Sequence, residues 1–284
     1  MPAKKKGISK STTKRSGAKK KVAEAAAAPV FELPVIPPDR GQIDHLMAQA
    51  LANAPKPLNI SEIFTSIQGE GRFIGVPSVF VRLNGCNLRC VWCDTPYTSW
   101  KPQGEDYMMG GLVAQIRRPW VNHVVITGGE PMLQSGVVLL TQRLREREMH
   151  ITIETAGTVY QPVVCDLMSI SPKLKNSTPH RREGGRWVAG HERLRHQPDV
   201  LKRLMADYDY QLKFVIQTPE DVDEVKEMVE QLGAPADRVI LMPEGVDATA
   251  LFDRAYWMIE RCINLGYRFS PRYHIDLWSN ERGK

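Results

Sequence analysis

The sequence predicts an α/β fold built on a parallel sheet, and three observations carry that prediction. Short apolar, β-branched runs recur from residue 58 onward; helical stretches separate several of them; and glycine-bearing polar motifs follow directly on the runs. Such alternation makes βαβ units, whose ligands gather at the strand C-termini. Six such runs suit a partial or full (β/α) barrel, and an open doubly wound sheet would read almost the same.

The strands expected in order are 77–83 (PSVFVRL), 123–128 (HVVITG), 150–155 (HITIET), 165–170 (CDLMSI), 211–217 (QLKFVIQ) and 238–243 (RVILMP). Helices are expected over 135–149, 219–232 and 248–265, where apolar residues recur at helical spacing. Upstream, 29–40 is broken by proline, and 41–54 can form one short helix before the APKP break. Two units result: a basic N-terminal extension, 1–57, and an α/β domain, 58–284.

Charge is unevenly divided. Of 38 Lys and Arg, nine lie in residues 1–22 with no acid among them, so a chain of net charge +6 has a remainder of −3. A segment so rich in Lys, Ser and Ala cannot bury enough surface to order itself, and is expected to be disordered. It could touch nucleic acid electrostatically, or serve as a solvated appendage or targeting arm. No apolar run is long enough to span a membrane and no secretory h-region follows the N-terminal charges. Five cysteines, an odd number and mostly clustered, do not make a disulfide framework, so a reducing, cytoplasmic setting is expected.

The clustered cysteines lie in CNLRCVWC, where Cys86, Cys90 and Cys93 follow a Cys-x3-Cys-x2-Cys pattern. Structural zinc needs four ligands, usually in paired elements, and no second pair exists. Cys165 falls in an expected strand and Cys262 on an amphipathic helix. His191 and His196 are separated by four residues, in a charged stretch with no strand or helix frame. Three thiolates can instead hold a [4Fe–4S] cluster with one iron left open.

That loop resembles the signature of the radical S-adenosylmethionine (SAM) superfamily. The resemblance implies a partial (β/α) barrel in which SAM chelates the open iron and an electron from the cluster cleaves its sulfonium. Trp92 matches the aromatic position beside the adenine, although it could simply pack. Thr127-Gly128-Gly129-Glu130-Pro131 is similar to the element that holds the methionyl amine; by itself it would be an ordinary strand-to-helix turn. No phosphate-binding loop or dinucleotide fingerprint exists, so ATP and NAD find no support.

Within the superfamily, residues 58–284 resemble the 7-carboxy-7-deazaguanine synthase family of queuosine and 7-deazaguanine biosynthesis. The matching stretches are FTSIQGEGRFIGVPSVFVRLNGCNLRCVWCDT, TGGEP, ETAGT, SPKLKNSTP, QLKFVIQ and HIDLWSNERG. The resemblance implies a radical SAM lyase that contracts the ring of 6-carboxy-5,6,7,8-tetrahydropterin to 7-carboxy-7-deazaguanine, releasing ammonia and regenerating SAM. It assigns substrate contacts to Ile67, Gln68, Gly69, Arg82 and Thr127. SAM contacts fall on Trp92, Cys93, Asp94, Gly129, Ser171, Pro172 and Lys173, and a Mg²⁺ contact on Thr95. Arg82 suits a substrate carboxylate or a salt bridge at the barrel rim. Gln68 offers donor and acceptor to a pterin edge, and Thr95 could equally cap the turn after Cys93. Glu154 and Thr155 could meet the ribose or substrate or equally serve as structural hydrogen-bonding groups, and LMPEG (241–245) could close the cosubstrate pocket. An electron donor such as flavodoxin and a homodimer are implied as well. The basic extension and the Arg-rich stretch 180–196 depart from the family pattern. Two rivals remain: a glycyl-radical-activating enzyme, which IQGEG and Arg82 argue against, and a nucleic-acid-binding protein stabilised by a metal.

Overall fold

The computed structural model describes residues 57–118 and 120–284. The boundary at 57, the tail's expected disorder and the helix expected over 41–54 lie outside the described residues.

The elements run β1 (Leu58–Ile67), β2 (Pro77–Leu83), α1 (Pro96–Ser99), β3 (Glu105–Tyr107), α2 (Met109–Ile116), β4 (His123–Gly128), α3 (Gly136–Arg145), β5 (His150–Thr155) and β6 (Leu167–Ile170). After these come α4 (Val188–Arg195), α5 (Pro198–Asp207), β7 (Tyr210–Ile216), α6 (Asp221–Leu232), β8 (Val239–Pro243), α7 (Ala248–Leu265), β9 (Arg268–Phe269) and α8 (Tyr273–Trp278). All nine strands form one sheet in the order β3-β1-β2-β4-β5-β6-β7-β8-β9. Pairing is parallel from β2 to β9 and antiparallel where β1 meets β2 and β3. The first and last strands do not pair, so the sheet stays open: the partial barrel, and not the full one.

Burial on both faces explains why the central strands read as continuous apolar runs. In β4 every residue from His123 to Thr127 is buried, and β8 is buried throughout. Helices cover the outside. In α6, Val222, Val225, Val229 and Leu232 form the inward stripe, acids occupy the first turn, and Gly233 ends the helix at φ 69°. Asp247 caps α7 by accepting the Ala250 N–H, and Gly266 ends it in the same left-handed conformation.

Three details differ from the sequence expectations. Cys165 lies in the loop before β6, outside any strand. His191, read as lacking a helical frame, sits buried within α4. And β1 begins the sheet, although only its motif stood out in the sequence. β1 runs against its neighbours, so Ile67 pairs with Pro77 at the start of β2, whereas Glu62 pairs with Arg82 near its end. The QGEG turn therefore enters from the opposite end of the sheet to the other motifs.

Candidate active site

A cavity of about 500 Å³ occupies the barrel interior. Every residue assigned a substrate, SAM, cluster or Mg²⁺ contact from the sequence lines it except Pro172, which is buried; of LMPEG (241–245) Met242 and Glu244 line it, and of TGGEP Thr127, Gly128 and Gly129. Side chains from β1, β2, β4, β5, β6, β7 and β8 share this wall, among them Glu62, Arg82, Thr127, Glu154, Ser169, Lys213 and Met242.

The cysteine loop, which joins β2 to α1, is held at several points. The Val91 N–H donates to the Ser177 carbonyl (2.8 Å), the Arg89 N–H to His191 Nδ1 (3.1 Å), and the Trp100 indole to the Cys90 carbonyl (3.0 Å). Since His191 Nδ1 accepts, its Nε2–H donates to Ser177 Oγ at 2.9 Å. The ring is therefore neutral, and burial lowers its pKa to about 4. Trp92 donates to the Asn176 carbonyl at 3.1 Å, and the Lys173 ammonium lies 5.9 Å from its ring centroid. Lys173 also donates to Ser171 O and Oγ (2.8 and 2.7 Å), which fixes the turn after β6.

The TGGEP turn presses directly on this loop. A Cβ on Gly129 would stand 2.1 Å from the Gly85 carbonyl oxygen and 2.8 Å from Cys86 Cβ, so only glycine permits the approach. Glu130 locks the turn from beneath. Fully buried, it accepts from Thr155 Oγ1 (2.8 Å), Ala156 N (2.8 Å) and Met132 N (3.1 Å), while burial raises its pKa.

The three thiols fit an iron–sulfur group by donor chemistry. Burial pushes Cys86 up to about 12 and Cys90 higher still, and a metal bound there would displace their protons to solvent. Among the described residues no three His, Cys, Asp or Glu side chains are grouped to hold a single metal ion. A cluster meets each thiolate at a different iron, so it makes no such demand.

Facing the thiols is a buried charge network. Arg82 Nε bonds Glu62 Oε1 at 2.6 Å, and Glu62 also accepts from Tyr97 OH (2.7 Å) and Arg282 Nε (3.1 Å). The two Nη groups of Arg82 have no protein partner among the described residues. Gln68 donates to Glu154 at 3.2 Å. Glu70 pairs with Lys213 and with Arg272 Nε (3.0 Å), and Arg272 reaches Asp94 beside the last cysteine. Burial alone would raise Glu70, but Lys213 and Arg272 hold its carboxyl far below the ordinary range. Thr95 precedes α1 without capping it; its hydroxyl lies 3.9 Å from Cys93 Sγ on the cavity wall. Sequence reading missed Glu62, Glu70, Tyr97, Lys213, Arg272 and His274, the last a cavity-lining ring whose Nε2 lies 4.0 Å from Glu70 Oε1. The clearest available signal was Lys213, an ionisable residue amid the apolar run QLKFVIQ.

Residues 80–172 match the Radical SAM superfamily. An open parallel sheet around three cysteines is thus a radical SAM protein. A 7-carboxy-7-deazaguanine synthase of Rhodopirellula baltica is 41% identical over 249 residues, covering 85% of this chain and 97% of its own. The synthase of Halobacterium salinarum is 40% identical over 234 residues, covering 78% and 91%. The crystal structure of QueE from Escherichia coli superposes with a TM-score of 0.60 at 26% identity, over 76% of this chain and 94% of that one. The chain belongs to the 7-carboxy-7-deazaguanine synthase family. Neither rival reading, the glycyl-radical-activating enzyme or the nucleic-acid-binding protein, is favoured.

Proposed function

We propose that this lyase converts 6-carboxy-5,6,7,8-tetrahydropterin to 7-carboxy-7-deazaguanine, contracting the ring and releasing one ammonia. One observation carries the reading: three cysteines and a guanidinium whose Nη groups have no hydrogen-bond partner among the described residues line the same cavity. Bound together, the cluster and SAM would supply the one-electron chemistry that abstracts a substrate hydrogen. The chain's own work is positioning and exclusion of water.

Cys86, Cys90 and Cys93 would hold the cluster. Trp92, Asp94, Gly129, Ser171, Pro172 and Lys173, with Cys93, would border SAM, the glycine letting the backbone come close. Arg82 would take the substrate carboxylate on its Nη groups, with Glu62 holding the Nε side so that the fork points inward. Gln68, flanked by Ile67 and Gly69, would read the pterin amide edge, and Thr127 would add a hydroxyl. Thr95 would contribute an oxygen to Mg²⁺, a hard ion that would keep its other ligands as water or substrate oxygen. The substrate is a small molecule and the cluster needs a reductant. A flavodoxin-type donor, a homodimer, a cytoplasmic setting and a nucleic-acid contact by the tail complete the proposal. Among the described residues no helix is long and apolar enough to cross a membrane.

The test is anaerobic iron–sulfide reconstitution followed by incubation with the carboxytetrahydropterin, SAM and dithionite. A new deazapurine chromophore with equimolar ammonia is expected. Ammonia without the chromophore, or zinc in place of iron in oxygen-free preparations, would overturn the assignment.

A further inference from the structure

The hydroxyl of Ser99 is buried beside the last cysteine of the loop and has a single partner. Ser99 ends α1 and is 2% exposed; its Oγ lies 3.2 Å from Cys93 Sγ and has no other hydrogen-bond partner among the described residues. The short helix that carries it is fixed to the cysteine loop on either side of this serine. The Thr98 carbonyl accepts the Gly85 N–H at 2.9 Å, and Trp100 donates its indole N–H to the Cys90 carbonyl at 3.0 Å. The turn closes with the Lys101 N–H on the Pro96 carbonyl at 2.9 Å. Three consecutive residues, 98 to 100, thus grip the segment that bears the thiols.

Packing alone does not account for a serine here. A buried hydroxyl is costly unless bonded, and alanine is the better helix former. A neutral thiol is a weak partner for it. A thiolate is an acceptor only, so towards deprotonated Cys93 the hydroxyl must donate, and such a charge-assisted bond is roughly twice as strong as a neutral one. The bond is therefore strongest in the form of the cysteine that ligates metal. The three sulfurs differ in what reaches them. Cys86 Sγ accepts the Leu88 N–H at a longer 3.4 Å, Thr95 Oγ1 stands 3.9 Å from Cys93 Sγ, and no donor reaches Cys90 Sγ among the described residues.

We infer that Ser99 is a positioning residue that acts through Cys93: its hydroxyl donates to the thiolate and raises the reduction potential of the cluster held there. A reduced cluster carries one electron more than an oxidised one, so its thiolates are more negative and gain more from a hydrogen-bond donor. Deleting the donor therefore favours the oxidised form. This rests on the iron–sulfur reading of the site.

The variants are S99A, which deletes only the hydroxyl, and S99T, which keeps it, both in the full chain reconstituted with iron and sulfide without oxygen. Electron paramagnetic resonance across a mediated dithionite titration reads the ratio of reduced to oxidised cluster. One electron passes from dithionite to the cluster at each reduction, and no bond in the polypeptide is made or broken. In S99A the equilibrium constant for reduction should fall about ten-fold, which is about 59 mV for one electron. S99T should stay within about three-fold of the parent on the same scale, and iron per chain should be unchanged in both variants. A change of less than about two-fold in S99A would overturn the inference. So would an equal fall in S99A and S99T, which would assign the effect to packing. An S99A chain that takes up no cluster would overturn it too, since a bond that tunes the potential is dispensable for assembly. Failure of the parent to assemble a cluster would instead sink the iron–sulfur reading.

Discussion

Replacing Arg272 by methionine removes one guanidinium that ties together three parts of the cavity wall. Arg272 is 7% exposed, and it bonds Glu70 at 3.0 Å, the Gly245 carbonyl at 2.5 Å and Asp94. Removing one partner of a buried ion pair costs about 3–5 kcal/mol. Glu70 keeps Lys213, and the Asp94 side chain is 36% exposed. The lower end therefore applies, about 3 kcal/mol, which is roughly 6–12 °C in Tm for a chain of this size. The pH dependence has a definite sign. Burial raises both carboxyls, but Lys213 and Arg272 (for Glu70) and Arg272 (for Asp94) more than reverse it, so both titrate below their ordinary 4.5 and 3.8. Their contribution is present at neutral pH and is lost as pH falls through the folded-state values. The Tm gap between parent and variant should therefore be full at pH 7 and shrink below about pH 4. Thermal melts of metal-free protein across that range, with iron per chain after reconstitution, make the assay. An unchanged Tm at pH 7, or a gap independent of pH, would refute the reasoning.

Cys90→Ala should abolish iron and sulfide uptake while far-ultraviolet circular dichroism keeps the parent spectrum, because the sheet's core lies elsewhere. Gly129→Ala should destabilise by about 1–3 kcal/mol and weaken SAM binding, read by melting and by calorimetry, since its methyl collides with backbone. Acid should destabilise through His123 and His191. Burial, aided by His150 for the former, lowers both to about 4, so each contributes full stability above 6.5. That contribution declines towards pH 4 as the unfolded chain takes protons the fold refuses. His123→Gln should flatten part of this slope in Tm against pH, and an unaltered slope would contradict it.

Much of this arrangement was legible in the sequence where periodicity and punctuation agree. Strands 77–83, 123–128 and 150–155 and the helix over 248–265 stand at the expected bounds, because burial on both faces writes an apolar run and a capped helix writes its ends. β1 was obscure because its half-buried pattern mixes Ser61, Glu62 and Thr65 with apolar residues. α4 was hidden by five charged or imidazole side chains in and around a short helix that makes its contacts through His191 and Arg195. The cysteine loop announced itself through spacing. Its counterpart did not: Glu70, Asp94 and Arg272 meet across more than 170 residues, and no local pattern records a pairing so distant.

That distance sets an order of events during synthesis. The Tyr273 N–H bonds the Gly69 carbonyl and Arg272 bridges Glu70 to Asp94, so the last wall of the chamber is translated long after the thiols. Until the ribosome has extruded that segment, the nascent polypeptide holds a thiol-bearing loop with one side uncovered. A chamber closed on that side therefore requires translation past residue 273, and a chain truncated before Arg272 would lack the wall that bridges Glu70 to Asp94.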